Sequence, residues 1–570
     1  MAEISRRKAL GLGGGLLGLG ACNAVTGGAE TATVDDVVPV TYAGEVAFEH
    51  GVASGDPLPG SVVLWTRVTP KSGEGDIELE YRIFEGETLA GSGKARTSAA
   101  RDYTVKVIAE DLRPGTEYAY EFAVKTTGGK VTSPRGRTKT TAAPGATTPV
   151  KFAFVSCSNW PFGYFNAYRE ISRQDGLDAV IHLGDYLYEY GVDGYGGAVG
   201  EQIGRRHEPV TEIVTLADYR ARHAQYKSDP DLQAAHACAP WLCTWDDHES
   251  TNNSYRSGAE NHNPEANEGD WTARKQVAVQ AYLEWMPVRD PVPGRARESI
   301  YRRFDFGSVA SVFCLESRLT GRSDEISWLT ELGGLEPAQV PMKAMATMVR
   351  VQADERTMLG AQQEAWLADG LKDSVASGKP WQVLANQVVM ARVVPPNFNR
   401  TLTPEQITGI ENPFAQALVG FSQLGLPFNL DAWDGFPAAR ARLYDAAKAA
   451  GARLVTLTGD THTAWGNTLV DIDGEQRGVE FGCTSITSPG LGTYFEGVDD
   501  LGAMFEEQNP EVEHYDPHGN GFTLVTLTPD GVRADYVKVS TITGKDYTAE
   551  TVTRLATRRS GSGMTRLEKI

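Results

Sequence analysis

Between residues 38 and 139, apolar residues recur at every second position in short runs: SVVLWTRV, IELEYRIF, YTVKVIAE and TEYAYEFAV, parted by Gly, Pro and Asp turns. Period-two alternation over such lengths predicts half-buried strands, and a series of them predicts a small β-sandwich. TTAAPGATTP, residues 140–149, has the composition of a linker. From residue 150 to residue 570 the pattern changes. VKFAFVSC, AVIHLGD, WLCTW and ARLVTLTGD read as buried strands, while LADYRARHAQYKSDPDLQAAH reads mostly as helix. Strands flanked by longer helical stretches predict a layered α/β domain. In such folds sites assemble from the loops beyond strand C-termini, so function is expected there. There is no fixed-period repeat.

Within the sandwich, LRPGTEY at 112–118 resembles the turn and tyrosine corner of fibronectin type III domains, which bears on fold and not on activity. Residues 1–37 form an address and a flexible lead-in. Ser5-Arg6-Arg7-Lys8 precedes a glycine-rich apolar stretch from Ala9 to Ala21, a pattern suited to export by the twin-arginine machinery. Leu19-Gly20-Ala21-Cys22 resembles a lipobox that would lipidate Cys22; the alternative is ordinary cleavage near Ala24. No other apolar run is long enough to span a bilayer, so this segment alone is expected to tie the protein to a membrane. The expected location is periplasmic or cell-surface.

A chain of 570 residues exceeds what one core usually organises, in keeping with two domains. Lys and Arg number 54 against 74 Asp and Glu, a formal charge of -20, which argues against nucleic acid as a partner. A phosphate substrate is still admissible, because bound metal reverses the field in one cleft. Of six cysteines, five lie beyond Cys22, an odd number that is no disulfide framework. Cys238 and Cys243, in an apolar segment, are expected as buried thiols rather than a bridge.

The strand ends read SCSN, GDYLY, WDDHE and GDTH. Taken singly, Asp185 suits a helix cap, Cys157 a core position and His248 a satisfied structural histidine. Together they offer thiolate, carboxylate, phenol, imidazole and amide donors within one domain, which is what adjacent cations require.

These segments, with VASGDP, SVVLWTR, SDPDLQAAHA, WDGFPAAR and TSITSPG, resemble the PhoD-type alkaline phosphatases and phosphodiesterases of the calcineurin-like metallophosphoesterase group, over about Val46 to Val539. The resemblance implies a fibronectin-III-like β-sandwich on a four-layer α/β/β/α catalytic domain, with ferric iron and calcium as metals. It implies iron held by Cys157, Asp185, Tyr188 and His462. Asp185 would bridge to calcium held by Asn253, Asp460 and either Asp246 or Asp247, two residues the resemblance does not separate. His248 would contact the phosphoryl oxygen or protonate the leaving alcohol, and Arg318, with Asn386 and Gln387, would face the same cleft. His182 reads as structural. Two departures stand out: Glu316 replaces an aspartate common two residues before the arginine, and 324–350 looks like an insertion able to reshape the entrance.

The implied reaction is hydrolysis of phosphate mono- and diesters by direct attack of a metal-bound hydroxide. No Gly-x-Ser-x-Gly elbow and no Walker sequence supports a serine hydrolase or a P-loop enzyme. Two alternatives stand beside it: a phospholipase-D-like phosphodiesterase, and a non-catalytic surface-binding lipoprotein.

Overall fold

A computed structural model describes residues 40–570; the export signal, with Arg6, Arg7 and Cys22, lies outside the described residues. The first domain is a sandwich. One antiparallel sheet orders Gly136–Lys139, Glu117–Thr126, Ile77–Glu85 and Thr88–Thr97. Val52–Leu58, Ser61–Arg67 and Thr104–Ala109 form its opposing layer. Val62, Leu64 and Val105 from that layer share a core with Leu79, Tyr120 and Phe122 from the first, which is why apolar residues alternate there. The Tyr118 hydroxyl accepts a 2.8 Å hydrogen bond from the Arg113 backbone N–H, tying the expected corner.

The sandwich does not stop at its own edge. Strand 52–58 runs parallel to Trp241–Cys243, with Gly55 opposite Trp241, and so continues the first catalytic sheet. From the other side that sheet orders Ala549–Ser560, Gly531–Val539, Asn520–Leu527, Val150–Val155, Ala179–His182 and then strand 241–243. A second sheet orders Arg302–Phe306, Ala310–Cys314, Trp381–Ala385, Leu454–Thr458, Gln476–Gly482, Ala464–Val470 and Val512–Asp516. The sheets pack face to face through Phe152, Phe154 and Ile181 against Val383, Val455 and Phe481. Their outer faces are covered by helices such as Asn166–Ser172 and Trp271–Trp285 on one side and Ala361–Ala376 and Pro437–Ala450 on the other. This is the four-layer α/β/β/α arrangement. Its central strands are parallel and covered on both faces, so they read as unbroken apolar runs.

The long helical stretch after residue 215 is two helices. Leu216–Lys227 starts at a Thr215–Asp218 capping box, and Pro230–Cys238 starts at Asp229, whose carboxylate accepts from the backbone of Asp231 and Leu232. Proline at the first helical position and an aspartate cap restart the helix rather than continue it. The 324–350 insertion is built on helices Trp328–Leu332 and Val340–Val351, anchored by buried Trp328, whose indole donates to the Pro427 carbonyl. Cys157, Cys238, Cys243, Cys314 and Cys483 are all free thiols. No described helix is long and apolar enough to cross a membrane.

Candidate metal centre

The four strand ends meet between the two sheets. Strands 150–155 and 179–182 deliver Cys157 and Asp185, strand 241–243 leads to the 246–249 turn, and strand 454–458 in the second sheet delivers Asp460 and His462. Donor atoms of Cys157, Asp185 and His462 lie within 4.8 Å of one another, and so do those of Asp185, Asp247 and His248. Asp185 belongs to both triples. One of its oxygens, Oδ1, is buried without a protein partner, while Oδ2 accepts from the Tyr188 hydroxyl at 3.1 Å. The same hydroxyl stands 3.2 Å from His462 Nε2 and 2.7 Å from Ser488 Oγ, which puts Tyr188 beside the first triple.

Several of these donors share one backbone geometry. Cys157, Asp185, Asn253, Asp460 and His462 all have left-handed φ values between 50 and 63°. Such conformations cost non-glycine residues about 1–3 kcal/mol each and persist where the surrounding fold imposes them. Much of that imposition comes from segment 484–490. Ile486 N–H donates to the Ser156 carbonyl, Thr487 and Ser488 N–H donate to the Cys157 carbonyl, and the Pro489 carbonyl meets His462 Nδ1 at 3.1 Å. Glu249 clamps from the other side: its carboxylate accepts from the backbone N–H groups of Asp185, Tyr186 and Asp246.

The pair Asp246 and Asp247 divides. Asp247 joins the second triple and accepts from the Asn253 backbone N–H at 2.6 Å. Asp246 turns to Arg318, accepting from Nε at 2.5 Å and from Nη2 at 3.0 Å. Arg318 is fully buried, and its Nη1 donates to Asp431 at 2.8 Å. The guanidinium is engaged by Asp246 and Asp431, with Asp460 3.9 Å away, and so ties the 246–249 turn to the 431 loop. Asp460 lies 3.9 Å from Arg318 and outside the two triples, while Asn253 is tied through its backbone N–H to Asp247 of the second. Asn253 directs its amide nitrogen to Glu260 and Glu325, the latter at the root of the 324–350 segment. Asn386 and Gln387 are buried on protein partners, Gln387 through Thr244 and Leu315 and Asn386 through Val388 and Trp433. His182 is buried on Tyr168 and stacked on Trp241, a structural histidine as expected. Glu316 brackets the backbone N–H groups of Arg318, Leu319 and Thr320 and the Trp245 indole, so the residue that departs from the usual aspartate shapes the Arg318 loop.

Electrostatics favour bound cations. Six buried carboxylates, Asp185, Glu189, Asp246, Asp247, Glu249 and Asp431, surround the centre against Arg318, Arg322 and the His248 imidazole. Without metal, burial and the Asp247 and Asp246 charges push the Asp185 carboxyl well above its usual range, with His248 opposing them; burial likewise raises the Cys157 thiol and the Tyr188 phenol. Metal would invert this, because a coordinated thiol or carboxyl deprotonates. His462 is lowered by burial to about 4, leaving a neutral ring able to ligate. Burial also opposes charge on His248, but Asp247, Glu189 and Asp185 outweigh it and hold the ring protonated. Its Nδ1 meets Glu189 Oε2 at 2.6 Å. Sequence reasoning missed Glu189, Asp431 and Ser488; each sits within or beside a quoted motif, but only its spatial partner reveals its part.

Residues 152–536 match the model for the PhoD-like phosphatase, and residues 33–142 match its N-terminal domain. The chain is 36% identical over 509 residues to alkaline phosphatase D of Bacillus subtilis (strain 168), covering 86% of this chain and 77% of that protein. A solved structure of PhoD superposes with a TM-score of 0.74 at 31% identity, over 94% of this chain and 93% of the other. Purple acid phosphatase PPD1 from yellow lupin (Lupinus luteus) seeds shares the fold, with a TM-score of 0.51 at 12% identity, over 90% and 74% of the two chains.

Proposed function

The chain belongs to the PhoD-like phosphatase family and is a phosphoric-ester hydrolase, and from that premise we propose that it cleaves phosphate mono- and diesters at a two-cation centre sharing Asp185. The observation that supports this reading is that Asp185, whose Oδ1 has no protein partner, has Cys157 and His462 donors within 4.8 Å on one side and Asp247 on the other. When bound, the cations would supply Lewis acidity to the phosphoryl oxygens and acidify the attacking water. Cys157, Tyr188 and His462 would join Asp185 around ferric iron, which suits thiolate, phenolate and imidazole. Asp185, Asp247, Asn253 and Asp460 offer the hard oxygens calcium prefers. His248 keeps Nδ1 on Glu189 and so presents Nε2, as a proton donor to the leaving alcohol or a hydrogen-bond donor to the phosphoryl oxygen. Arg318 fixes Asp246 and Asp431 at the border of the site.

Metal quantitation on purified protein, with hydrolysis of a 4-nitrophenyl ester before and after chelation and calcium readdition, tests this reading. Full activity in metal-free protein would overturn it. Ferric iron on Tyr188 and Cys157 would colour the protein by charge transfer, and Tyr188→Phe should shift or bleach that band. Rates on a phosphomonoester against a lipid diester separate a general phosphoesterase from a phospholipase-type enzyme. We also propose twin-arginine export; Lys at positions 6 and 7 should retain the protein inside, and normal export of that variant would remove the assignment.

A further inference from the structure

Beside the donor triples stands a wall of aromatic rings that no step above uses. Tyr190 and Tyr195 come from the glycine-rich turn after Asp185, and Tyr494 comes from the short helix Leu491–Tyr494 beyond segment 484–490, so the wall is built from both sides of the cleft. The Tyr195 ring lies 6.3 Å from that of Tyr188, 6.0 Å from Tyr190 and 4.8 Å from Phe162. Its hydroxyl meets the Tyr494 hydroxyl at 3.2 Å, and Phe414, 40% exposed, stands 6.5 Å from the Tyr494 ring. The wall reaches the chemistry directly, because Tyr190 lies 5.6 Å and Tyr188 4.1 Å from the His248 ring.

The turn is shaped to hold Tyr195 in place. Gly196 has φ 89°, and a Cβ there would fall 2.8 Å from the Phe162 ring. Phe162, Tyr190, Tyr195 and Tyr494 are half-buried. Among the described residues, the arginines bonded around the centre are already engaged, Arg318 and Arg322 by Asp246 and Asp431 and Arg222 by the Tyr188, Glu208 and Pro209 carbonyls. A leaving group extending past the His248 ring on the Tyr190 side would meet these rings and hydroxyls.

We infer that Tyr195 and Tyr494 form a specificity subsite for a flat aromatic ring carried on the leaving alcohol of the phosphate ester. The inference rests on the phosphoesterase reading and deepens it by naming the substrate class. A flat ring stacks on or packs edge-to-face with these rings, which a puckered ring of equal size cannot do, and such pairs are worth a preference of about three- to tenfold. The ring could belong to a nucleoside or to a simple aryl alcohol.

The test compares kcat/KM on 2-phenylethyl phosphate with that on 2-cyclohexylethyl phosphate, whose leaving oxygens are nearly equal in acidity, and on thymidine 5′-phosphate with that on ribose 5-phosphate. A preference of about three- to tenfold for the phenyl ester identifies an aryl alcohol as sufficient; a preference confined to the nucleotide pair identifies a nucleoside as the ring's source. In either case Tyr494→Leu should bring the ratio close to one and Tyr494→Phe should keep it. Both esters are read on one preparation, so loss of folded protein scales both rates alike and leaves the ratio intact. Equal rates within both pairs, or a ratio unmoved by Tyr494→Leu, would overturn the subsite while leaving the phosphoesterase reading standing. Absence of hydrolysis on all four esters by metal-replete protein would overturn both.

Discussion

Asp56, where the sandwich joins the catalytic sheet, and Asp185, at the candidate metal centre, are locally the same device. Each follows a glycine, each is buried, and each has left-handed backbone, with φ of 45° and 55°. Each preceding glycine is required by close approach: a Cβ on Gly55 would lie 2.1 Å from the Pro287 carbonyl oxygen, and one on Gly184 would lie 2.3 Å from the Asp246 nitrogen. The difference lies in what faces the carboxylate. Asp56 accepts two hydrogen bonds from Arg302, at 2.7 and 2.9 Å, and a third from the Arg289 backbone N–H. Asp185 faces the His248 imidazole but also the carboxylates of Asp247, Asp246 and Glu249, and its Oδ1 has no partner. The Gly-Asp turn aims a carboxylate, and the counter-charge decides whether it serves the fold or the reaction.

Exchanging the two roles by mutation is the strongest way to break the comparison. Asp185→Asn should abolish phosphoesterase activity, by about a thousandfold or more, since the two proposed cations would lose the carboxylate they share. The folded state should survive, because a like-charge cluster is relieved. Enzyme assay with metal analysis and thermal unfolding reads both. Asp56→Asn should do the reverse, costing about 3–5 kcal/mol of stability by leaving Arg302 buried and unpaired. What remains folded should keep its metal and its turnover, as denaturant titration and active-site-normalised rates would show. If Asp56→Asn removed metal and Asp185→Asn destabilised, the distinction would be wrong.

A pH series sharpens the comparison. In protein stripped of metal, burial is the main cause that pushes Glu249 up to about 8 and Asp185 and Asp460 well above the usual carboxylate range. A carboxyl with a raised folded pKa binds more protons folded than unfolded, so its contribution is fullest below the unfolded range near 4 and is lost as pH rises through the folded value. Metal-free protein should therefore lose about 2–4 kcal/mol of stability between pH 5 and pH 8, and metal should flatten that slope. Urea unfolding across the range, with and without metal, measures it.

The smallest effect concerns His248. Glu189→Gln keeps the side-chain shape but removes one of the charges that hold the imidazole protonated, so the folded pKa of His248 should fall. Turnover should drop about tenfold, with the alkaline limb of the rate profile moved toward lower pH. An unchanged profile would detach His248 from proton transfer.

What the sequence disclosed follows from what is local. Buried parallel strands announce themselves as VKFAFVSC, AVIHLGD and ARLVTLTGD, and the residues ending them are those the fold gathers. Asp246 and Asp247 are adjacent and chemically alike, so only the position of Arg318, 72 residues away, separates them. Glu189 and Asp431 acquire their roles through His248 and Arg318, contacts that no spacing encodes. The joining of strand 52–58 to strand 241–243 was likewise invisible, because a short parallel pairing leaves no mark on either segment's periodicity.

The central sheet also sets a schedule for the growing chain. Strand 150–155 pairs on one side with 179–182 and on the other with 520–527, where Val150 sits opposite Leu527. At ordinary rates of synthesis the ribosome needs roughly twenty seconds to a minute to reach that second neighbour. Through that interval an apolar strand edge stays open to any passing strand, and the long sequence separation makes its eventual closure slow. Yield of active protein should therefore depend on chaperones that shield this edge until translation ends.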